Sequence, residues 1–388
     1  MMFSKANRPN LPEFLYNGKP VQPCTSYTYL GIEINHHGKF TDGMKVLSQK
    51  GLKAVFKMRA LTSHTKFPVP TSLRLFNSLV RPILTYNADI WYMDVDMKRS
   101  RGIHRAQRNN KAYNILHSID STVFERIHSR FIKSTLGIHK TTSSNAARME
   151  VGSPPLELFI KLQSIKNWNR IMLMDSALVK EALTCATNLH RNGKYSWASY
   201  MQNIFDSLET TIQVDDRSIC SHQFPSHLFS EPLVTYYDNL AMTALTSSIG
   251  SSQKQGNKLR TYAKFKDTCD FEPYLEHIKN ASKRRSVTKL HVSAHRLEIE
   301  TGRYKGIPAE QRFCQFCPNS IGDEKHFVLH CPTHSKRRAK LITHCEENIA
   351  GFSGMGEDSQ FLTIMKADTA TLAVALGEFC LSGFEAIK

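Results

Sequence analysis

The stretch Thr41-Asp42-Gly43-Met44-Lys45-Val46-Leu47-Ser48-Gln49-Lys50-Gly51-Leu52-Lys53-Ala54-Val55-Phe56-Lys57-Met58-Arg59-Ala60-Leu61 reads as one amphipathic helix and sets the fold class as mainly α. Thr41 suits an N-cap, and Asp42 complements the positive end of the helix dipole. Met44, Leu47, Ala54, Val55, Met58 and Leu61 recur at near-helical spacing, while Lys45, Lys50, Lys53, Lys57 and Arg59 fall mostly off that stripe. One face is thus written for a core and the other for polyanions. Upstream, the aromatic and β-branched run Tyr27 to Ile34 predicts a short strand, the β entry to the helices, ending in a turn at His37-Gly38-Lys39. Downstream, Pro68 and Pro70 break the chain, and Leu73, Phe76, Leu79 and Val80 begin a second helix that Pro82 should kink or stop.

Helical spacing returns over 122–136, in a long segment after Pro154-Pro155 (Leu158, Leu162, Ile165, Trp168, Ile171), from about Ser286 to Glu300, and from near His334. Ser247 to Asn257, rich in Ser, Gln, Gly and Asn, reads as a linker. The expected organisation is a β entry over 1–40, a basic helical region over 41–150, a helical connector over 151–280, a basic helix with a Cys/His module over 281–345, and an acidic helical tail over 346–388.

Charge is distributed unevenly. Residues 1–150 carry 23 Lys and Arg against 9 Asp and Glu, residues 151–280 balance 13 with 13, residues 281–340 carry 13 against 5, and residues 341–388 carry 2 against 7. Two basic regions flanking a neutral middle fit two polyanion contacts better than general solubility. Lys98, Arg99, Arg101, Arg105, Arg108 and Lys111 follow one another from Met97 onward without a carboxylate. On a merely solvated helix, i,i+4 acidic partners would be interleaved there. Together with Lys45, Lys50, Lys53 and Lys57, and with Arg284, Arg285, Lys336, Arg337 and Arg338 in the second basic region, these are the candidate phosphate contacts.

The most specific chemistry is Cys314-x2-Cys317-x8-His326-x4-Cys331. Two cysteines two residues apart can aim both sulfurs at one ion, and a later His and Cys complete a tetrahedron suited to one structural Zn2+. Four protein ligands leave no open position for water, so zinc catalysis is not expected. His330 and His334 remain substitutes for a ligand. Phe313, Phe316 and Phe327 sit around the cluster, as a minimal core or as stacking surfaces for bases.

No catalytic residue is expected. Val214-Asp215-Asp216 carries the paired carboxylates that two-metal polymerases need, but no strand hairpin frames it; the same holds for Asp94 and Asp96. An active polymerase using Asp215 and Asp216 is the enzyme-class alternative, and a zinc-module protein-interaction factor is another. The amino-terminal residues lack the apolar core of a signal peptide, and no stretch approaches a bilayer span. Nine cysteines, an odd number, argue for reduced thiols. The expectation is an intracellular protein, nuclear or cytoplasmic, with no membrane partner and no secretion.

These blocks, in order, resemble the reverse transcriptases of non-LTR (LINE-type) retrotransposons. Tyr29-Leu30-Gly31-Ile32, Gly38-Lys39-Phe40-Thr41, the Lys-rich helix, and Leu79-Val80-Arg81-Pro82-Ile83-Leu84-Thr85-Tyr86 through Ile90-Trp91 are similar to the stretch from the end of the palm into the thumb. Phe131 through Leu136-Gly137-Ile138, Asn145-Ala146-Ala147 to Pro155-Leu156, and Ala294-His295-Arg296-Leu297-Glu298-Ile299-Glu300-Thr301-Gly302-Arg303-Tyr304 lead to a CCHC cluster like the one that closes many such proteins. Residues 200–280 match weakly and 345–388 hardly at all. The resemblance implies a thumb gripping template and primer over 41–150, and a zinc module for element RNA or target DNA. It also implies that the chain starts past the paired aspartates, so that Mg2+ would enter only with a supplied palm, and that the missing polymerase and endonuclease segments are its natural partners.

Overall fold

The computed structural model describes residues 3, 13–62, 67–103, 111–210, 212–214, 226–247 and 258–387, and it is mainly helical with three small two-stranded sheets. The β entry is two hairpins, β1 (Leu15–Tyr16) with β2 (Lys19–Pro20) and β3 (Ser26–Tyr29) with β4 (Ile32–Asn35). The single strand expected over Tyr27 to Ile34 is folded in two. Leu30 and Gly31 both take positive φ (46° and 82°), the requirement of a two-residue hairpin turn, and the Tyr86 hydroxyl donates to the strained Leu30 carbonyl at 3.0 Å.

Helix α1 (Thr41–Thr62) follows, its entry fixed by the Phe40 N–H donating to Asp94 Oδ2 at 3.1 Å. Leu47, Val55 and Met58 are buried, whereas Leu61, expected on that stripe, is exposed where the helix runs past its neighbours. Helix α2 (Val69–Leu79) stops before α3 (Arg81–Leu84), with Pro82 in the first turn of α3 as a proline tolerates. Helices α4 (Ala88–Trp91), α5 (Met93–Ile103), α6 (Lys111–Ser121), α7 (Val123–Leu136) and α8 (Ser144–Glu150) complete the first third.

The sequence divisions at 150 and 280 are not divisions of the core. Helix α9 (Leu156–Leu173) packs on α4 and α7, while α10 (Ala177–Arg191) and α11 (Trp197–Asp206) pair beside it, and α12 (Ser230–Ser247) lies along α6, α8 and α9. The short α13 (Tyr262–Phe265) and α14 (Tyr274–His277) lead to α15 (Ala281–His291). The helix expected to run to Glu300 breaks there. Val292 caps it, Ser293 takes φ 51°, and a new helix α16 (Glu298–Tyr304) starts, because Ser293 and His295 are turned inward onto Glu324. Helices α17 (Ser335–Asn348), α18 (Glu357–Lys366) and α19 (Ala370–Ala386) end the chain. The acidic tail is no loose appendage: α19 packs on α14, α15 and α17 and buries Leu372, Ala373, Leu376, Phe379 and Cys380.

Buried carboxylates stitch distant segments. Glu157 on α9 accepts from Arg99 (2.7 Å), from Tyr92 and from Tyr237 (2.8 Å), with Lys161 at 3.6 Å. Burial alone would raise its pKa, but Arg99 and Lys161 override that and hold it at about 2. Glu150 receives His291 (2.9 Å) and Tyr274 (2.6 Å), and Glu324 receives His295 (2.9 Å), Arg260 (2.8 Å) and Thr261 (2.8 Å). Removing one partner from such a site typically costs about 3–5 kcal/mol, because the other charge stays behind unpaired.

Candidate metal centre and cationic faces

Strands β5 (Phe313–Cys314) and β6 (Cys317–Ile321) pair Cys314 with Cys317 across the turn Gln315–Phe316. The chain returns through Asp323, whose carboxylate accepts from the His326 N–H at 2.8 Å, and enters a π-helical turn, His326–His330. Its wide i→i+5 closure, the Cys331 N–H onto the His326 carbonyl at 2.8 Å, brings two residues five apart to one point. The ligand atoms of Cys314, Cys317, His326 and Cys331 all lie within 4.8 Å of one another, and the Cys314 and Cys331 sulfurs are 3.9 Å apart. Thiolates at about 2.3 Å from a tetrahedral zinc would be about 3.8 Å apart.

The donor set fits a cation on two further grounds. His326 Nε2 is buried with no hydrogen-bond partner. The Cys317 thiol is pushed up to about 11 by burial and by the Cys331 and Cys314 sulfurs beside it, a crowding that positive charge would relieve. These four residues can hold one metal ion. Of the two substitutes, His330 Nε2 faces Glu357 at 3.6 Å, whereas His334 lines the same cavity as Cys314, His326 and Cys331 but stays outside the four-residue cluster, its ring edge-on to Phe327 with centroids 4.9 Å apart and its Nδ1 buried without a hydrogen-bond partner.

The centre is braced from outside. Arg338 donates to the carbonyls of Val328 (2.8 Å) and Cys331. Phe327 is core, stacked on Phe384 (5.0 Å) and near Phe379 (5.0 Å), and a Cβ on Gly383 would stand 2.6 Å from Phe327 Cζ. Phe313 and Phe316 are 45% and 42% exposed, so only one of the three aromatics is committed to packing.

The cationic candidates separate into surface and interior. Lys50, Lys53 and Lys57 project from the outer face of α1 beside exposed Leu52 and Phe56; Lys45 is also exposed but pairs with Asp42 at 3.0 Å. Lys98, Arg285, Lys336 and Arg337 are exposed. Arg99 is not: its side chain is 8% exposed and belongs to the Glu157 cluster, which corrects its reading as a phosphate contact. Arg284 and Arg338 are half-buried because both are turned onto backbone carbonyls, Arg284 onto that of Ile278 at 2.8 Å and Arg338 onto those of Val328 and Cys331. Arg101 and Lys111 lie on α5 and α6, with side chains outside the described residues, as are Arg105 and Arg108 entirely.

Asp94 and Asp96 are structural: Asp94 receives the Phe40 N–H, and Asp96 receives Tyr195 (2.5 Å) and Asn203 (2.7 Å). Asp215 and Asp216 lie outside the described residues. Sequence reasoning missed the chain Ser153 Oγ, His128 Nε2 (3.4 Å), His128 Nδ1, Glu125 Oε1 (3.0 Å), which has the order of a hydrolytic triad. It is a brace instead. The neighbouring Gly152 and Ser153 N–H groups are spent on Met149 and Arg148 carbonyls, so neither serves an oxyanion, and Glu125 is held by Arg148 and the Leu156 N–H. Among the described residues no helix is long and apolar enough to cross a membrane. No protein-family model, curated protein or solved structure matches the chain.

Proposed function

We propose that this chain is a nucleic-acid-gripping part of a non-LTR retrotransposon reverse transcriptase. On this reading residues 41–150 hold template and primer, a module closed by one structural Zn2+ contacts element RNA or target DNA, and the protein works inside the cell. Chemistry would come from a polymerase segment with its Mg2+, not from these residues. The resemblance supplies the family, and one observation carries the binding: α1 buries Leu47, Val55 and Met58 while Lys50, Lys53 and Lys57 stand in solvent on its other face. A lysine row without facing carboxylates on a packed, rigid helix is suited to successive phosphates.

The test is binding of the purified chain to RNA and to primed duplex across a salt series. Affinity should fall steeply with salt, and Lys50→Gln, Lys53→Gln and Lys57→Gln together should reduce the log–log slope by about 2 to 3. Salt-indifferent binding, or a triple variant with an unchanged slope, overturns the reading. Capture of a protein partner without nucleic-acid affinity would favour the interaction-factor alternative.

A further inference from the structure

A groove of about 540 Å3 opens between α1, α5, α6 and the start of α7, with Lys45, Lys98, Arg99, His117, Ser121 and Phe124 in its lining. Among the described residues no carboxylate lines it, and two exposed lysines do, Lys98 and Lys45, the latter paired with Asp42 at 3.0 Å. The 14-residue α7 begins at its wall with no side chain capping its first N–H groups; the first-turn carboxylate, Glu125, is buried and held by His128, Arg148 and the Leu156 N–H. Arg99 gives a second and independent sign. It lines the groove with its side chain only 8% exposed, its Nη1 and Nη2 are taken by Glu157 (2.7 Å) and Tyr92 (2.9 Å), and its Nε is buried with no hydrogen-bond partner. At the rim, exposed Tyr113 and His117 lie nearly parallel, 8° apart with ring centroids at 6.0 Å. Met44, Val95, Val123 and Phe124 supply apolar wall between neutral polar side chains such as Asn114 and Ser118.

Cations and open helix N–H groups inside, apolar walls, and planar rings at the edge are the parts needed to hold a nucleotide unit. We propose that this groove binds one nucleotide unit, its phosphate at Lys98 and the amino end of α7 and its base against the Tyr113–His117 pair. The inference rests on the nucleic-acid reading above and adds a place to it. The phosphate can belong to a strand or to a free nucleotide.

Lysine acetylation footprinting by mass spectrometry, on the full chain, distinguishes these. The probes are a ten-nucleotide single strand and a nucleoside monophosphate, with Lys53 on α1 reporting the general grip and Lys180 on α10 as bystander. Protection of Lys98 of about fivefold or more by the strand alone supports a strand site, and protection by both probes supports a single-nucleotide site. Protection of Lys98 by the monophosphate with no strand binding anywhere supports the groove and overturns the grip. Protection of Lys53 by the strand with Lys98 unchanged overturns the groove and leaves the grip standing; no protection at all overturns both. Ser121→Trp, a substitution at an exposed position, should block the groove and abolish Lys98 protection while far-UV circular dichroism is unchanged; persisting protection in that variant also overturns the proposal.

Discussion

Lys98 and Arg99 are neighbours in sequence with the same formal charge and opposite fates. Lys98 stands in solvent, and Arg99 closes an ion cluster whose carboxylate comes from position 157. Nothing in the local pattern distinguishes them, because the partner that draws Arg99 inward is 58 residues away. Arg99→Ala should therefore destabilise the fold by about 3–5 kcal/mol, measured by urea denaturation, while Lys98→Ala should change stability by less than about 0.5 kcal/mol. Equal and small effects would show that the Glu157 cluster is not sealed. The candidate metal ligands are the opposite case, brought to notice by local chemistry: two sulfurs across one turn, and a His and Cys across one π turn. Cys317→Ser should lower bound zinc from about one ion per chain toward none by mass spectrometry of the metal, and loosen residues near 310–340 while the helices of residues 41–150 persist. Retained stoichiometric metal would sink the ligand assignment.

Elements were readable where periodicity alone decides and unreadable where a distant side chain does. The face of α1, the stop before Pro82 and the extent of α7 follow from spacing, proline and Gly137 at the helix end. The break after α15 does not, since Ser293 and His295 leave the helix to reach Glu324. Nor does the role of α19, whose apolar run says only that it is covered, not by what. Its Gly383 lies against Phe327, so Gly383→Val should overpack that contact by about 1–3 kcal/mol. Metal should then leave faster in a chelator competition although no ligand has been touched. An unchanged release rate would show that α19 and the centre are mechanically separate.

At the scale of the molecule, the apolar residues form one contiguous core, and buried carboxylates tie its parts together. Glu157 and Glu324 are each held at about 2 against an ordinary 4.5, Glu157 by Arg99 and Lys161 and Glu324 by the hydrogen bond from His295 and by Arg260. A carboxylate depressed in the folded state contributes stability that is present above its unfolded pKa and lost as pH falls toward the folded one. Each should contribute about 3 kcal/mol at neutral pH, surrendered between about pH 4.5 and 2. Acid titration followed by tryptophan fluorescence should show cooperative unfolding in that window, shallower in Glu157→Gln; a transition near neutrality would point to histidines instead.

The seating of α19 on Phe327 has a consequence for the gene as much as for the protein. A nonsense or frameshift change between codons 332 and 370 spares all four ligand codons, yet removes the helix that walls the centre. Such an allele would read as metal-competent by motif inspection and encode a centre open to chelators and oxidants. The integrity of the candidate centre therefore depends on residues some 50 positions past its last ligand.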